Sequence, residues 1–218
     1  MTDKVSYLFS SRDLTVELSL LRHGMTTAGK RYIGSTDVPL THDGWQQMAL
    51  GCAQLNDVQA VISDTANSAS ISLTTEHSPC YWDAVVSSPL LRCRQFAEKF
   101  AELESIPLVI EPGFKEIHFG LMENLTAIEV MNKHPGVLEA FWQDPLASPP
   151  EGGEPLQGFH ARVLEALVRL KNRFHGKKVL LVTHGGVIRS VLCHLENKPV
   201  AKMLEIEVAH GDLVTKCI

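Results

Sequence analysis

Two short strand-like segments, each followed by a histidine and a glycine, constrain the fold of this chain more than any other feature. They read ELSLLRHG over residues 17–24 and KVLLVTHG over residues 178–185. The second contains a continuous apolar run, which is typical of a strand covered on both faces of a parallel sheet. A third segment, DAVVSS over residues 83–88, leads through Pro89 into a helical pattern. This alternation predicts a three-layer α/β/α sandwich with a mostly parallel central sheet.

The other helices of this fold are predicted from apolar residues at three- and four-residue steps. Thr41 is a suitable N-cap, and Pro155 is suited to opening a long amphipathic helix. The predicted helices cover residues 42–55, 90–103, 127–134, 136–144, 156–174 and 187–195, and a further strand covers residues 106–112.

Three segments receive other assignments. The Ser- and Thr-rich residues 63–79 are predicted to be a surface loop, because they show little periodicity. Residues 204–218 are predicted to form a closing hairpin with Gly211 near its turn. No repeat or long linker divides the chain, so residues 1–218 are predicted to form one domain, with residues 1–14 as a tail or edge segment.

Composition argues against several classes of protein. The net charge of −5 at pH 7 gives no indication of a basic surface that would bind nucleic acid. No run approaches the roughly 20 apolar residues that cross a bilayer. The five cysteines lack CxxC spacing, and residues 1–21 lack the apolar core of a signal peptide. We therefore expect a cytoplasmic protein with reduced thiols and without a nucleic-acid or membrane partner; whether it is a monomer or a homodimer stays open.

Chemically active side chains follow the predicted strands at the points where they end. Ligands of open α/β sheets bind beyond the carboxyl ends of the strands, so His23 and His184 are predicted to share one site. Arg22 can face the same pocket as His23 only if the chain turns there, which Gly24 allows. Arg92 lies early in the helix after the third strand, close to the same edge.

Zinc is one hypothesis for these residues together with Glu116, because neutral imidazole and carboxylate are zinc ligands. Two guanidinium groups beside a dication would repel it unless an anion lay between them. Arginine instead matches phosphate, since its paired donors have a fixed geometry. The preferred interpretation is an anion pocket.

In such a pocket His23 would attack phosphorus and form a covalent phosphohistidine. The neighbouring arginines disfavour its protonation, and its other ring nitrogen needs an acceptor, such as a backbone carbonyl, to fix the tautomer. Glu116 is the preferred carboxyl group for protonating the leaving alkoxide, with Glu123 as the alternative. Gly185 and Gly186 would add N–H donors at a helix N-terminus.

Four segments, in order along the chain, resemble the signatures of the histidine phosphatases with the phosphoglycerate mutase-like fold. They are LLRHGMT, SSPLLRC, KEIHFGLMEN and VTHGGVIR, and they span residues 15 to about 195. The resemblance implies a phosphoric monoester hydrolase that acts on a small-molecule phosphate ester without a metal or another cofactor.

The resemblance also implies roles for individual residues. His23 resembles the nucleophile and Glu116 the proton donor. The residues predicted to bind the phosphoryl group or the rest of the substrate are Arg22, Thr26, Gly34, Arg92, His184 and Gly185. Met25 and Gly29 depart from the family pattern, which commonly has glutamate and asparagine there, so one phosphate contact is in question. Four other histidines are predicted to be structural or solvated: His118, His160, His194 and His210.

Two further segments, YIGSTDVPLT and PPEGGEPLQGFHARV, resemble the α-ribazole-5'-phosphate phosphatases of cobalamin nucleotide-loop assembly, although Pro155 replaces their common serine. A broad-specificity or sugar-phosphate phosphatase remains open. A phosphoglycerate mutase is less favoured because residues 116–155 carry few cations, and a non-enzymatic module that binds phospho-ligands is the other alternative. An aromatic base of the substrate could contact Phe119, Phe141 or Trp142.

Overall fold

A mixed five-stranded sheet forms the centre of the protein. The computed structural model describes residues 15–56, 58–65, 68–75 and 79–218, so the predicted tail over residues 1–14 lies outside the described residues. The strands are β1 (Glu17–Arg22), β2 (Val58–Thr65), β3 (Ser68–Thr75), β4 (Ala84–Ser87), β5 (Leu108–Ile110), β6 (Lys178–Thr183) and β7 (Leu213–Cys217). The central sheet has the order β5-β4-β6-β1-β7, in which β7 alone runs antiparallel to its neighbour.

Helices cover both faces of this sheet, which confirms the predicted sandwich. They are α1 (His42–Cys52), α2 (Leu91–Glu104), α3 (Ala127–Lys133), α4 (Val137–Gln143), α5 (Leu156–Arg173) and α6 (Gly185–Leu195), with 3₁₀ helices at Pro112–Phe114, Gly120–Met122 and Val200–Glu205. The α1 and α2 helices pack on one face of the sheet, and α5 and α6 on the other. No helix within the described ranges is long and apolar enough to span a membrane.

The central strands bury both of their faces, as the apolar run of β6 predicts. Leu18 and Leu20 of β1 belong to the core under α5 and α6, while Leu21 belongs to the core under α1 and α2. All three are fully buried. Burying one such side chain stabilises the fold by about 1.5–3 kcal/mol, so β1 and β6 form a rigid base for the residues that follow them.

The start of α1 lies directly over the chain that follows β1. Thr41 caps the helix as predicted, because its hydroxyl oxygen accepts a 3.0 Å hydrogen bond from the Gly44 N–H. A Cβ atom on Gly24 would lie 2.0 Å from the carbonyl oxygen of Gly44. Glycine is therefore required at position 24 by this close backbone approach.

The prediction of a surface loop over residues 63–79 is wrong for most of that segment. β2 and β3 pair antiparallel as a separate two-stranded sheet, with Val58 opposite Thr75 and Thr65 opposite Ser68. Serine and threonine interrupt the apolar pattern of these strands, yet threonine and isoleucine suit extended backbone because they are branched at Cβ. Residues 66–67 and 76–78 lie outside the described ranges.

The predicted hairpin over residues 204–218 is also wrong. The residues up to Glu205 end a 3₁₀ helix, and β7 pairs with β1 rather than with the segment before it. A turn at residues 209–212, where Gly211 has φ +81°, brings the chain back to β1. Strand pairing depends on distant residues that compete for the same sheet edge, which local sequence patterns do not report.

Candidate active site

The ends of β1 and β6 bring two imidazoles together. The two strands are parallel neighbours with Arg22 opposite Thr183, so the residues that follow them lie side by side. The rings of His23 and His184 have their centroids 5.2 Å apart, and the His23 N–H donates to the Thr183 carbonyl oxygen at 2.9 Å. This is the juxtaposition expected from the strand ends.

The tautomer of His23 is set by its own backbone. Its Nδ1 lies 2.8 Å from the carbonyl oxygen of Gly24, which can only accept, so Nδ1 carries the proton and Nε2 keeps its lone pair. Burial of the ring and the charge of Arg92 hold the pKa of His23 well below its usual range. A neutral imidazole with a fixed, unprotonated Nε2 is suited to nucleophilic attack.

His184 is fully buried at the position that caps α6. Its Nε2 lies 2.7 Å from the hydroxyl oxygen of Ser88, the residue that follows β4. Burial and the charge of Arg92 hold the pKa of His184 well below its usual range. Both imidazoles at the sheet edge are therefore neutral near pH 7.

Two arginines flank these imidazoles. Arg92, in the first turn of α2, is fully buried and donates to the carbonyl oxygens of Ile33, Gly34 and Thr36 at 2.8–3.2 Å. Arg22 donates through Nη1 to the Val208 carbonyl oxygen at 2.6 Å. The Nη2 atom of Arg22 lies 3.1 Å from Nε2 of His210.

Each arginine keeps one buried donor without a protein acceptor. The Nε atoms of Arg22 and Arg92 have no hydrogen-bond partner within the described residues. A buried, unsatisfied donor costs about 1–3 kcal/mol, more when it is charged, and the two cations also repel each other. Two guanidinium groups with unpaired donors beside neutral imidazoles suit a bound oxyanion, as the sequence predicts.

Glu116 lies against the first turn of α6. Its Oε2 accepts from the Gly186 N–H at 3.0 Å, and its Oε1 accepts from the Ile117 N–H at 3.0 Å. A Cβ atom on Gly186 would lie 2.2 Å from Oε1, so this approach needs glycine. The Gly186 N–H therefore binds the carboxylate, whereas the sequence suggested it as a donor to phosphate. Gly185 lies beside the arginine of the site, since a Cβ atom added there would be 3.2 Å from Nε of Arg22. Its contact with substrate stays a prediction.

Arg162 holds the segment that carries Glu116, a function that sequence reasoning missed. It forms a bidentate ion pair with Glu154 through Nε at 2.6 Å and Nη2 at 2.8 Å. Its remaining hydrogen bonds, at 2.8–3.1 Å, go to the carbonyl oxygens of Gly113, Lys115 and Glu116. All five donors of the guanidinium are thus satisfied. The only signal in the sequence was the position of Arg162 in one of the segments that resemble the family.

Glu123, the alternative acid, is bound by its surroundings. Its carboxylate accepts the Thr36 hydroxyl at 2.6 Å and backbone N–H groups of Gly34, Ser35, Thr36 and Phe119 at 3.0–3.4 Å. Although burial raises the pKa of Glu123, the hydroxyl and backbone hydrogen bonds lower it below its usual value. This carboxylate is held ionised and is suited to anchoring a loop.

The Gly34 backbone is occupied by protein partners. Its N–H donates to Glu123, its carbonyl oxygen accepts from Arg92, and a Cβ atom would lie 2.0 Å from the Ile117 carbonyl oxygen. Gly34 thus packs two loops together, and its contact with a substrate stays a prediction.

The residues that follow His23 divide between buried and exposed positions. Thr26 is buried and pairs with Leu40 in an isolated bridge. Met25 is 40% exposed. Gly29 is exposed with φ +66°, and a Cβ atom there would meet nothing within 4 Å. Within the described residues, position 29 therefore supplies no side-chain contact to the site.

His210 belongs to the site, although the sequence predicted it to be structural or solvated. Its ring centroid lies 5.5 Å from that of His23, and it also contacts Arg22. No signal in the sequence was specific to His210, because His210-Gly211 precedes its strand, as His175-Gly176 also does. The described residues contain no group of three His, Cys, Asp or Glu side chains arranged to hold a metal ion, so the zinc arrangement of His23, His184 and Glu116 is not found.

Comparisons with known proteins agree with this fold. A metal-independent phosphoserine phosphatase from Arabidopsis thaliana is 33% identical over 180 residues, which cover 80% of this chain and 66% of the plant protein. The crystal structure of an Escherichia coli K-12 protein described as an α-ribazole-5'-phosphate phosphatase matches with a TM-score of 0.73 at 26% identity, covering 93% of this chain and 90% of that chain. The α-ribazole phosphatase from Shigella flexneri matches with a TM-score of 0.72 at 27% identity, over 91% of this chain and 89% of that chain.

Some curated relatives are much longer than the matched region. The chain spans 66% of the Arabidopsis protein and 44% of a bifunctional protein from Mycobacterium tuberculosis. The profile of one family nevertheless matches residues 18–70 and 72–216, which include both histidines, both arginines and Glu116. By this match and by its fold, the chain belongs to the histidine phosphatase superfamily (branch 1).

Proposed function

We propose that the chain is a phosphomonoesterase that works through a covalent phosphohistidine at His23. The observation that carries this proposal is the neutral imidazole of His23, whose Nδ1–H is held by the Gly24 carbonyl oxygen at 2.8 Å. Its Nε2 is thereby left unprotonated beside His184 and two arginines with unpaired Nε donors. Nucleophile and anion-binding groups are the two parts that phosphoryl transfer requires.

The proposed reaction has two displacements at phosphorus. In the first, Nε2 of His23 forms a bond to phosphorus, the ester P–O bond breaks, and Glu116 gives its proton to the leaving alkoxide. In the second, the Glu116 carboxylate takes a proton from water, whose oxygen attacks phosphorus while the N–P bond breaks. Inorganic phosphate leaves and His23 is regenerated. Arg22, Arg92 and His184 are proposed to hold the phosphoryl oxygens throughout.

The first candidate substrate is α-ribazole 5'-phosphate. It is supported by the two segments that resemble α-ribazole-5'-phosphate phosphatases and by structural neighbours of that description. Phe119 and Phe141 pack against each other at 6.4 Å in a small core under α3 and α4, whereas Trp142 is 48% exposed. Of the three aromatic residues considered for the base, Trp142 is therefore the most exposed.

Phosphoserine is the second candidate substrate. The observation that favours it is the 33% identity to a relative described as a metal-independent phosphoserine phosphatase, which exceeds the 26% identity to the adenosylcobalamin/α-ribazole phosphatase of Escherichia coli. We further propose a single phosphatase domain that acts on small phosphate esters in the cytoplasm. Its five free cysteines support that location.

Replacing His23 with alanine tests the reaction class. Hydrolysis of p-nitrophenyl phosphate should fall by at least about 10⁴-fold while thermal unfolding stays cooperative, because the nucleophile is lost. His175→Ala is the matched control, since this exposed histidine precedes β6 and so lies near the end of the strand opposite to His184. Near-normal turnover by His23→Ala would overturn the assignment.

After rapid quenching of the wild-type enzyme during turnover, mass spectrometry should identify the phosphorylated residue. The stability of its phosphate in acid and in alkali should be measured separately. We expect an acid-labile phosphate on His23 itself. Tight binding of phosphate without turnover of any ester would instead identify a binding module.

A substrate panel separates the two candidates. The kcat/KM values should be compared for α-ribazole 5'-phosphate, O-phosphoserine, 3-phosphoglycerate and fructose 2,6-bisphosphate. A preference for the ribazole ester supports the first candidate and a preference for phosphoserine the second. Interconversion of phosphoglycerates would replace hydrolysis by mutase chemistry.

A further inference from the structure

A third imidazole, that of His210, is brought to the site by the end of the sheet. The turn at residues 209–212 immediately precedes β7, and two backbone hydrogen bonds fasten it to β1. Arg22 N–H donates to the Asp212 carbonyl oxygen at 3.0 Å, and Gly211 N–H donates to the Arg22 carbonyl oxygen at 3.2 Å. The backbone N–H and carbonyl groups of Arg22 thus hold the turn that carries His210.

The contact between Arg22 and His210 has a defined direction. A guanidinium group can only donate, so Nε2 of His210 accepts from Nη2 of Arg22 across 3.1 Å. His210 must then be neutral, with its proton on Nδ1. The other terminal nitrogen of Arg22, Nη1, donates to the Val208 carbonyl oxygen at 2.6 Å. Residues 208–210 therefore hold both terminal nitrogens of this guanidinium.

This arrangement leaves Nε of Arg22 as the donor without a protein partner in the described residues. The guanidinium is planar and rigid, so fixing its two terminal nitrogens also fixes the direction of Nε. We propose that His210 is a positioning residue: by accepting from Arg22, it orients that guanidinium for the phosphoryl group transferred to His23. The proposal rests on the phosphohistidine mechanism above and assigns no contact between His210 and substrate.

The charges around His210 keep it in the accepting state. The titratable and charged groups that face it are Arg22, His23 and Asp212. Partial burial and the Arg22 charge lower the pKa of His210, and Asp212 opposes them only in part. A protonated ring would lose its acceptor and would repel the guanidinium.

Three substitutions separate an acceptor from a side chain that only fills space. His210→Gln places an oxygen near the position of Nε2, His210→Leu keeps volume without an acceptor, and His210→Ala removes both. We expect kcat/KM for p-nitrophenyl phosphate to fall on the order of tenfold in the Leu and Ala variants, because a hydrogen bond to a charged group is lost. The inhibition constant of inorganic phosphate should rise in parallel, and the Gln variant should recover most of both losses.

The exposed position of His210 means that these variants should unfold at nearly the wild-type temperature. A Leu variant as active as wild type, or a Gln variant as impaired as Ala, would overturn the proposal.

A double-mutant cycle shows whether His210 acts through Arg22. In an Arg22→Ala background, His210→Leu should cause less than a twofold further loss in the rate of p-nitrophenyl phosphate hydrolysis. A full additional loss would show that His210 contacts the substrate directly, which contradicts a positioning role. The proposed function fails separately, through near-normal turnover by His23→Ala, whatever the His210 variants do.

Discussion

The strand ends and the loop that carries the carboxylates place their functional groups by different means. His23 and His184 follow paired strands, and backbone hydrogen bonds of the sheet set their positions. Glu116 lies in irregular chain, and contacts with Arg162 and Gly186 hold it in place. The positions of the two histidines therefore follow from strand pairing, whereas the position of Glu116 depends on side-chain and backbone groups outside the sheet.

The two carboxylates of that loop differ as well. Glu123 accepts from four backbone N–H groups and a hydroxyl, while Glu116 accepts from two backbone N–H groups. Every hydrogen bond to a carboxylate favours its ionised form, so the heavily bonded group is the poorer proton donor. The difference indicates an anchoring role for Glu123 and supports the proposal that Glu116 is the acid.

The largest expected effect contrasts these two carboxylates. Glu116→Gln should slow hydrolysis of alkyl phosphates by about 10²–10⁴-fold but spare p-nitrophenyl phosphate, whose leaving group needs little protonation. Glu123→Gln is the matched control: it should lower the free energy of unfolding by about 1.5–3 kcal/mol and slow both substrates equally. Equal losses on both substrates in Glu116→Gln would remove the assignment of the acid.

A smaller effect is expected from the arginine that supports Glu116. Arg162→Met leaves three carbonyl oxygens and Glu154 without their donors, so the acid segment should shift. We expect roughly a tenfold loss on alkyl phosphates and a smaller loss on p-nitrophenyl phosphate. Arg162→Lys should not restore the rate, because one ammonium cannot replace five planar donors.

Arg169→Met provides the control on the same helix. Arg169 is more exposed and pairs with Glu111, so its loss should leave the ratio of alkyl to aryl rates unchanged. If Arg162→Met slowed both substrates equally, Arg162 would stabilise the fold without positioning the acid.

The smallest effect is the pH dependence of stability. The histidines at the strand ends and Glu123 in the loop should change the free energy of unfolding in different pH ranges. Because the folded pKa values of His23 and His184 are depressed, the unfolded chain binds more protons below about pH 6.5. Their contribution is present above pH 6.5 and is lost as pH falls, by at most about 1.4 kcal/mol per pH unit for each histidine. The depressed pKa of Glu123 acts only lower, near and below pH 4.5.

Urea unfolding between pH 7 and pH 5 measures this slope. The His23→Asn variant should show a shallower dependence than wild type, while Glu123→Gln should keep the wild-type slope in this range. A slope that His23→Asn leaves unchanged would show that His23 is not held neutral by the fold.

The same contrast explains which features could be predicted from the sequence. β1, β6 and the helices around them follow from local apolar patterns, and the meeting of His23 with His184 follows from parallel strands. The partner of β7 and the β2–β3 pair could not be predicted, because both depend on competition between distant segments. The contacts of Arg162 and His210 span 46 and 188 positions in the chain, and no local pattern encodes such pairs.

The loop of residues 33–36 is bound along both of its polar edges. Its carbonyl groups accept from Arg92, and its N–H groups donate to Glu123. A loop whose backbone groups are already paired has little conformational freedom left to lose when a ligand arrives. This loop beside Arg92 is therefore preorganised, and we expect a phosphate ester to bind next to it with little reorganisation of its backbone.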